Sequence, residues 1–241
     1  ILMKPMNIDS KEKNTNEVVG TYISLFSSAG IGCFGFKMEG FECIATNEIL
    51  TRRMNVQKIN KKCKYESGYI EGDIRDQRTK LAIWNEIDYW RNHESVNRVD
   101  VVIATPPCQG MSVANHKKTS NEIVRNSLVV ESIKIVREIN PKFFVFENVP
   151  SFMKTLCTDT DGLDRPIGDA IYGNLGKHYS IVSNVINFMN HGASSSRQRT
   201  LVIGVARDFA DEVSPYELFP SVREVKTLRE AIGELPSLHT M

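Results

Sequence analysis

The sequence predicts an α/β protein built on a mostly parallel β-sheet with helices on both faces. Short apolar runs rich in Val, Ile and Phe alternate along the chain with longer amphipathic stretches. The runs have the length and composition of buried strands, and the amphipathic stretches have the periodicity of helices. This alternation favours parallel pairing, because a helix can carry the chain back to the start of the next strand.

Six apolar runs are predicted as strands: residues 22–26, 41–46, 99–105, 143–146, 179–188 and 201–206. Residues 79–92 and 126–139 are predicted as helices, and in the second of these apolar residues recur every three or four positions. Pro141 follows that helix, at a position where proline is common. Residues 227–233 are predicted as a further short helix.

The length and composition predict one main domain. Of the 241 residues, 41% are hydrophobic, which is enough for a sizeable core. Residues 1–20 are predicted as a flexible lead-in, residues 21–207 as the main domain, and residues 208–241 as a less regular tail. The formal net charge is only +1. A nucleic-acid partner would therefore have to contact a local basic surface, or polypeptide outside this sequence.

The cysteines do not indicate a metal site, since none of the five forms a CxxC pair. No metal is therefore expected. An odd number of cysteines in a chain of this size favours reduced thiols and a cytosolic protein. No apolar run approaches the roughly 20 residues of a membrane span, and the polar N-terminal residues lack a secretory signal pattern. The expected location is the cytoplasm or the nucleoid, with no membrane partner.

A turn of small residues (SSAGIG) follows the first predicted strand. In α/β sheets such turns bring backbone N–H groups close to a ligand. Glu48 ends the second strand, 18 residues after Gly30, and is placed to accept hydrogen bonds from ribose hydroxyls. Asp73 follows a shorter run and is suited to accept from an adenine amino group. By themselves these residues fit a surface turn with two solvated acids equally well.

Cys108 follows the strand at residues 99–105 and two prolines that stiffen the turn. A lone cysteine is usually a buried apolar residue. Cys108 instead lies in a polar loop, at the sheet edge where ligands of such folds bind. His116 and Lys117 follow in the same loop and could promote a thiolate. They fit phosphate contacts or a solvated loop as well.

Glu147 and Asn148 end the strongly apolar strand at residues 143–146. A carboxylate at the end of a buried strand is costly unless it has a partner or a catalytic task. Adjacent parallel strands would bring Glu147 to the same edge as Cys108, and a nucleophile beside an acid is a catalytic arrangement. The alternative is a polar pair that only terminates the strand.

Arg197 and Arg199 precede the last predicted strand and share one face if the backbone is extended. Arginines there are suited to hold a carbonyl oxygen or a phosphate. Taken alone, this pair is more typical of a solvated strand edge.

Together these motifs resemble those of the cytosine-5 DNA methyltransferases, over about residues 20–206. The matching segments are residues 25–30 with Gly35-Phe36, Asn47-Glu48, Gly72-Asp73-Ile74, Pro107-Cys108-Gln109, Arg125-Asn126, Glu147-Asn148-Val149 and Arg197-Gln198-Arg199. The ordered set is specific, although each motif is weak alone. The resemblance implies a Rossmann-like S-adenosylmethionine-dependent methyltransferase fold, S-adenosylmethionine as cofactor, S-adenosylhomocysteine as product and double-stranded DNA as partner. It also implies that residues 21–207 are the catalytic methyltransferase domain and residues 208–241 a connector toward a target-recognition region.

The resemblance also implies site residues. The implied cofactor-binding residues are Phe26, Ser27, Ala29, Gly30, Ile31, Glu48, Ile49, Asp73, Ile74 and Pro106. In the implied mechanism, Cys108 attacks ring carbon 6 of a cytosine flipped out of the duplex. Glu147 holds ring nitrogen 3 and supplies a proton. Arg199 binds the ring carbonyl oxygen, Arg197 supports the loop and Asn148 orients neighbouring groups. Carbon 5 then takes the methyl group and loses its proton, and Cys108 is expelled.

The chain departs from the family pattern at several positions: Ser24 replaces an acid, Ser28 a glycine, Ala104-Thr105 two glycines, Met111 a phenylalanine and Ser195 a glutamine. No catalytic position is lost. The family continues into a target-recognition region, and residues 227–237 resemble the segment before it. The expectation is a truncated chain or one subunit of a split enzyme, with a second polypeptide or a missing C-terminal segment carrying that region.

Three other functions remain open from the sequence. The first is methylation of cytosine in tRNA, which only the substrate can distinguish, because 2′-hydroxyl contacts leave no mark in the sequence. The second is a non-catalytic subunit that binds cofactor or DNA, which would retain its function after Cys108→Ala. The third is an unrelated thiol enzyme, which leaves Glu48, Asp73 and the two arginines unexplained.

Overall fold

The computed structural model describes residues 18–107 and 128–235. Within these ranges the strands are β1 Gly20–Leu25, β2 Phe41–Glu48, β3 Tyr69–Glu71, β4 Val101–Ala104, β5 Phe143–Asn148, β6 Leu156–Thr158, β7 Asp164–Pro166, β8 Tyr179–Asn187 and β9 Gln198–Ala206. The helices are α1 Phe34–Met38, α2 Thr51–Ile59, α3 Gln77–His93, α4 Leu128–Ile139, α5 Ile167–Leu175 and α6 Leu228–Ile232. Short 3-10 turns lie at Ile31–Cys33, Glu66–Gly68, Phe152–Lys154, Phe188–His191 and Arg207–Phe209.

Seven of these strands form one sheet, in the order β3-β2-β1-β4-β5-β9-β8. The pairs from β3 to β5 are parallel, whereas β9 runs antiparallel to both β5 and β8. From β1 the chain moves outward to β2 and β3 and then returns to the other side of β1 at β4. The boundary between β1 and β4 is therefore the topological switch point, where sheets of this kind bind ligands. The predicted mostly parallel α/β sheet is confirmed.

Alternate strand residues enter two separate apolar clusters, one on each face of the sheet. Leu25, Ala104 and Phe146 pack with residues of α3, α4 and α5. Tyr22 belongs to the cluster on the other face, where its ring stacks on Phe36 of α1 with 5.0 Å between centroids. Successive side chains of a strand point to opposite faces. Burial of both faces therefore explains why the central strands are continuously apolar.

The predicted strands are confirmed, with shifts at their ends. The strand predicted at residues 99–105 is shorter and forms β4, which ends at Ala104. Thr105 still donates its N–H to the carbonyl oxygen of Leu25 at 3.3 Å. Its side chain donates a hydrogen bond of 3.0 Å to the carbonyl oxygen of Phe26. Pro106 then follows, which has no N–H to continue the pairing.

The predicted helices are also confirmed. The helix predicted at residues 79–92 is α3, and the described part of the helix predicted at 126–139 is α4. The helix predicted at 227–233 is α6, which Thr227 caps by a reciprocal capping box with Glu230. The β6–β7 hairpin and α5 were not predicted. The division of the chain into a lead-in, a catalytic domain and a connector stays a prediction.

Gly204 lies in β9 directly opposite Phe144 of β5, whose ring is fully buried. A Cβ atom at position 204 would lie 2.0 Å from Cε1 of Phe144. We therefore expect Gly204→Ala to lower the free energy of unfolding by about 1–3 kcal/mol, since the core must shift to admit the methyl group. Urea denaturation followed by circular dichroism measures this loss.

Gly173→Ala is the matched control for this prediction. Gly173 lies on α5, where an added Cβ would meet no atom within 4 Å. Because alanine is the better helix former, this change should raise stability by about 0.5–1 kcal/mol. If Gly204→Ala and the wild type unfolded at the same urea concentration, the packing argument would be contradicted.

Candidate active site

A cavity of about 520 Å³ opens at the carboxyl ends of β1, β2, β4 and β5. Its size lies within the roughly 300–1,000 Å³ typical of small-molecule sites. Ten of the residues predicted from the sequence line this cavity: Phe26, Glu48, Ile49, Asp73, Ile74, Pro106, Glu147, Asn148, Arg197 and Arg199. The structure thus brings six of the ten predicted cofactor-binding residues and four of the five predicted catalytic residues to one cavity.

The turn after β1 forms one wall of the cavity. Phe26 has φ of 54° and Ser28 has φ of 50°, so two residues with side chains adopt the left-handed region. This conformation is disfavoured for residues other than glycine and is often found at functional sites. Ser27 is buried behind the turn, where its N–H and hydroxyl both donate to the carbonyl oxygen of Asn47. The predicted residues Ala29, Gly30 and Ile31 line a separate cavity of about 430 Å³.

Glu48 presents a buried carboxylate to the cavity, with only 4% of the residue exposed. One oxygen accepts the N–H of Ser28 at 2.8 Å, and the other accepts the N–H of Leu50 at 3.0 Å. Arg53 approaches at 3.9 Å and partly balances the charge. A carboxylate has about four acceptor sites. Glu48 therefore supports the backbone of the turn and keeps the capacity to accept hydrogen bonds from a ligand.

Asp73 lies on the same side of the cavity and is paired with Arg75. The Nε atom of Arg75 lies 3.0 Å from both carboxylate oxygens, and the backbone N–H of Arg75 donates to one of them at 2.9 Å. The hydrogen bonds from the Arg75 side chain hold the pKa of Asp73 below its usual range, against the opposing effect of burial. Asp73 is thus an ionised acceptor whose partner, Arg75, was not predicted from the sequence.

Glu147 and Arg199 form an ion pair on the opposite side of the cavity. The Nε atom of Arg199 lies 3.0 Å from Oε1 of Glu147. The arginines precede β9, and since β9 is antiparallel to β5, its start lies at the same sheet edge as the end of β5. Only 18% of the Arg199 side chain is exposed. The alternative of a solvated strand edge is therefore wrong for Arg199.

The environment of Glu147 shifts its pKa upward from that of an ordinary glutamate. Burial raises the pKa of Glu147, and the positive charges of Arg199 and Arg197 oppose this shift without cancelling it. An acid with a raised pKa and a directed partner can hold and deliver a proton closer to neutral pH than an ordinary glutamate.

Asn148 connects the end of β5 to the segment that follows β4. Its Nδ2 donates to the carbonyl oxygen of Pro106 at 2.9 Å, and its Oδ1 accepts the N–H of Val149 at 2.9 Å. Thr200 donates in turn to the carbonyl oxygen of Val149 at 3.0 Å. Asn148 thus holds the backbone just before Cys108, and its role in a reaction stays a prediction.

Cys108 itself, with Gln109, Arg125 and Asn126, lies outside the described residues. Pro107 and Leu128 are the described residues on either side of that segment, and both line the cavity. In the described part of the chain, no group of three or more His, Cys, Asp or Glu side chains is arranged to hold a metal ion. Among the helices of residues 18–107 and 128–235, none combines the length and apolar character needed to cross a membrane.

Comparison with known proteins identifies relatives of this chain. The sequence profile of the family described as C-5 cytosine-specific DNA methylase matches residues 20–240. The chain is 31% identical over 222 residues to the Type II methyltransferase M1.HgaI of Avibacterium volantium, covering 90% of this chain and 57% of the relative. It is 32% identical over 220 residues to M1.HphI of Haemophilus parahaemolyticus, covering 91% and 54%. The chain therefore spans about half the length of these relatives.

One further relative and two solved structures also match the chain. The Type II methyltransferase M.AquIA of Picosynechococcus is 29% identical over 233 residues and is matched over 88% of its own length. Among solved structures, a prophage-encoded E. coli protein assigned as a DNA modification methyltransferase superposes with a TM-score of 0.67 at 24% identity, covering 90% of this chain and 56% of that one. Dnmt2 of S. pombe superposes with a TM-score of 0.56 at 12% identity, covering 92% and 61%. At these identities the two structures show a shared fold.

Proposed function

The chain belongs to the family of C-5 cytosine-specific DNA methylases, and from this membership we propose that it methylates carbon 5 of cytosine in double-stranded DNA. The observation that carries the proposal is the Glu147–Arg199 pair. It faces the same cavity as Glu48 and Asp73 and borders the segment that leads into Cys108. An acid with a raised pKa and its arginine partner therefore share one cavity with two carboxylates that accept hydrogen bonds. The cavity lies at the carboxyl ends of the parallel strands.

The cavity fits S-adenosylmethionine, which supplies the methyl group when bound. The fit rests on the buried carboxylate of Glu48, which retains acceptor capacity suited to ribose hydroxyls. Asp73 offers another acceptor, which suits the adenine amino group. Phe26 and Ile49 line the cavity with apolar surface.

In the proposed mechanism the thiolate of Cys108 forms a bond to carbon 6 of a cytosine flipped from the duplex. Glu147 protonates or holds ring nitrogen 3, so the electron pair displaced from the ring double bond does not leave a full negative charge on the ring. Arg199 orients Glu147 and can donate to the ring carbonyl oxygen. After carbon 5 is methylated, its proton passes to water, the double bond re-forms as the bond to Cys108 breaks, and the proton on ring nitrogen 3 returns to Glu147.

We further propose that the region that reads the DNA sequence lies on polypeptide beyond these residues. The support is that the match leaves nearly half of the length of M1.HgaI and of M1.HphI uncovered. M.AquIA, in contrast, is a Type II methyltransferase of comparable length. A completing segment or a second polypeptide would both fit these coverages. The enzyme would act in the cytoplasm or on the nucleoid, where its DNA lies.

The test is to identify the methylated product. The purified protein, alone and with the polypeptide encoded immediately downstream, is incubated with labelled S-adenosylmethionine and either unmethylated genomic DNA or tRNA. We expect 5-methyldeoxycytidine from DNA by mass spectrometry, and none with Cys108→Ala. Methylated cytidine from tRNA alone would assign an RNA substrate instead. Bound cofactor without product in any mixture would overturn the proposal in favour of a non-catalytic subunit.

A further inference from the structure

The turn that follows β1, residues Phe26–Ser28, is supported on its buried side by a side chain that belongs to none of the sequence motifs. Gln57 lies on α2 and is only 1% exposed. Its amide nitrogen donates to the hydroxyl of Ser27 at 2.8 Å and to the carbonyl oxygen of Ser28 at 2.6 Å. Both N–H groups of the amide are thereby directed at the turn between β1 and α1.

The other end of the same amide is fixed to β2. Its oxygen accepts the hydroxyl of Thr46 at 2.7 Å and the ammonium group of Lys62 at 3.1 Å. Lys62 also donates to Thr46 at 2.8 Å, which closes a small network. Because both partners of the oxygen are donors, the orientation of the Gln57 amide is determined, and its nitrogen must face the turn.

The turn needs such a support because its backbone is in a disfavoured conformation. Ser28 adopts φ of 50° although it carries a Cβ atom, which makes this left-handed conformation costly. In this conformation the N–H of Ser28 reaches the carboxylate of Glu48 at 2.8 Å. Gly30 packs so closely that an added Cβ would lie 3.1 Å from Cγ of Gln57.

We infer that Gln57 is a positioning residue for cofactor binding, which holds the Phe26–Ser28 turn in its strained form through hydrogen bonds to Ser27 and Ser28. This inference rests on the proposed function, since it assigns the cavity beside Glu48 to the nucleoside part of S-adenosylmethionine. Loss of the two donors lets Ser28 relax, which withdraws its N–H from Glu48 and moves the wall of the cavity.

The test uses Gln57→Glu, which has the same shape as the wild-type side chain. The carboxylate still accepts from Thr46 and gains an opposite charge beside Lys62, so the packing is retained. It has no donor for Ser27 and repels the carbonyl oxygen of Ser28. We expect the dissociation constant for S-adenosylhomocysteine, measured by calorimetry, to rise about tenfold or more, which corresponds to loss of a buried hydrogen bond.

Asn55→Asp is the matched control. It makes the same amide-to-acid change on the same helix, at an exposed position. This variant should bind S-adenosylhomocysteine as the wild type does. A Gln57→Glu protein that binds like Asn55→Asp would overturn the inference.

The double variant Gln57→Glu with Ser28→Gly separates positioning from general structural damage. Glycine adopts the left-handed conformation without the Cβ penalty, so the turn needs less support. We expect most of the lost affinity to return. A folded Gln57→Glu protein whose affinity Ser28→Gly does not restore would overturn the inference.

Hydrogen exchange distinguishes a failure of this inference from a failure of the proposed function, because it does not require bound cofactor. If the wild-type protein binds neither S-adenosylmethionine nor S-adenosylhomocysteine, the proposed function fails. The support of the turn is then measured by exchange of the amides of residues 26–30. Faster exchange in Gln57→Glu than in Asn55→Asp supports the role of Gln57 in holding the turn, and equal exchange overturns it.

Discussion

Glu147→Gln should reduce the rate of methyl transfer by about two to four orders of magnitude, the usual contribution of a positioned general acid. The amide keeps the size of the side chain, but it cannot supply a proton to the ring. Affinity for S-adenosylhomocysteine should be unchanged, because Glu147 lies across the cavity from Glu48 and Asp73. Single-turnover methylation of DNA, with the polypeptide that completes the enzyme present, measures the effect on the chemical step.

Glu138→Gln serves as the control for this substitution, since Glu138 is exposed on α4 and does not line the active-site cavity. Its rate should match that of the wild type. A Glu147→Gln enzyme with a rate close to the wild type would mean that another group protonates the ring, and would remove Glu147 from the mechanism.

Glu48→Gln should act on binding instead of chemistry. The charge of the carboxylate strengthens each hydrogen bond that it accepts, and such bonds contribute about 1.5–3 kcal/mol. Removing the charge should therefore raise the dissociation constant for S-adenosylmethionine by about 10- to 100-fold. The rate at saturating cofactor should fall much less, since Glu48 contacts the turn and not the Glu147–Arg199 pair. Calorimetry and cofactor-dependent kinetics together separate the two effects.

Glu71→Gln is the comparison for Glu48→Gln. Glu71 pairs with Glu48 across the β2–β3 ladder, but it is exposed and does not line the cavity. Its substitution should leave cofactor affinity as in the wild type. Equal affinity of Glu48→Gln and wild-type protein would contradict the assignment of the nucleoside side of the site.

The fold and the position of the site could be predicted from the sequence because both depend on local patterns. Continuous apolar runs marked strands buried on both faces, as β1 and β4 are. Polar residues that interrupt those runs marked the edge of the sheet. Glu48 and Glu147 were predicted at that edge for this reason, and the structure places both in one cavity.

Contacts between distant elements could not be predicted in the same way. Nothing in the sequence near Gln57 shows that its amide reaches Ser28, because that contact depends on how α2 packs behind the turn. The Arg199–Glu147 pair required the antiparallel direction of β9, whereas the sequence indicated only a mostly parallel sheet. Arg75 was missed although it follows Asp73 by two positions, a spacing that could have suggested the pair.

The ladder between β5 and β9 limits how related sequences can differ in length. Glu147 pairs directly with Leu201, and Arg199 precedes Leu201 by two residues, so the two charged side chains are diagonal neighbours on one face. Deleting or inserting a single residue between Arg199 and Leu201 would turn the arginine to the opposite face. An insertion or deletion in the loop before β9 leaves the spacing between Arg199 and Leu201 unchanged, so the arginine stays on the same face. An alignment of distant homologues should therefore require an arginine two residues before the apolar run of β9. The presence of an arginine near β9 is not enough by itself.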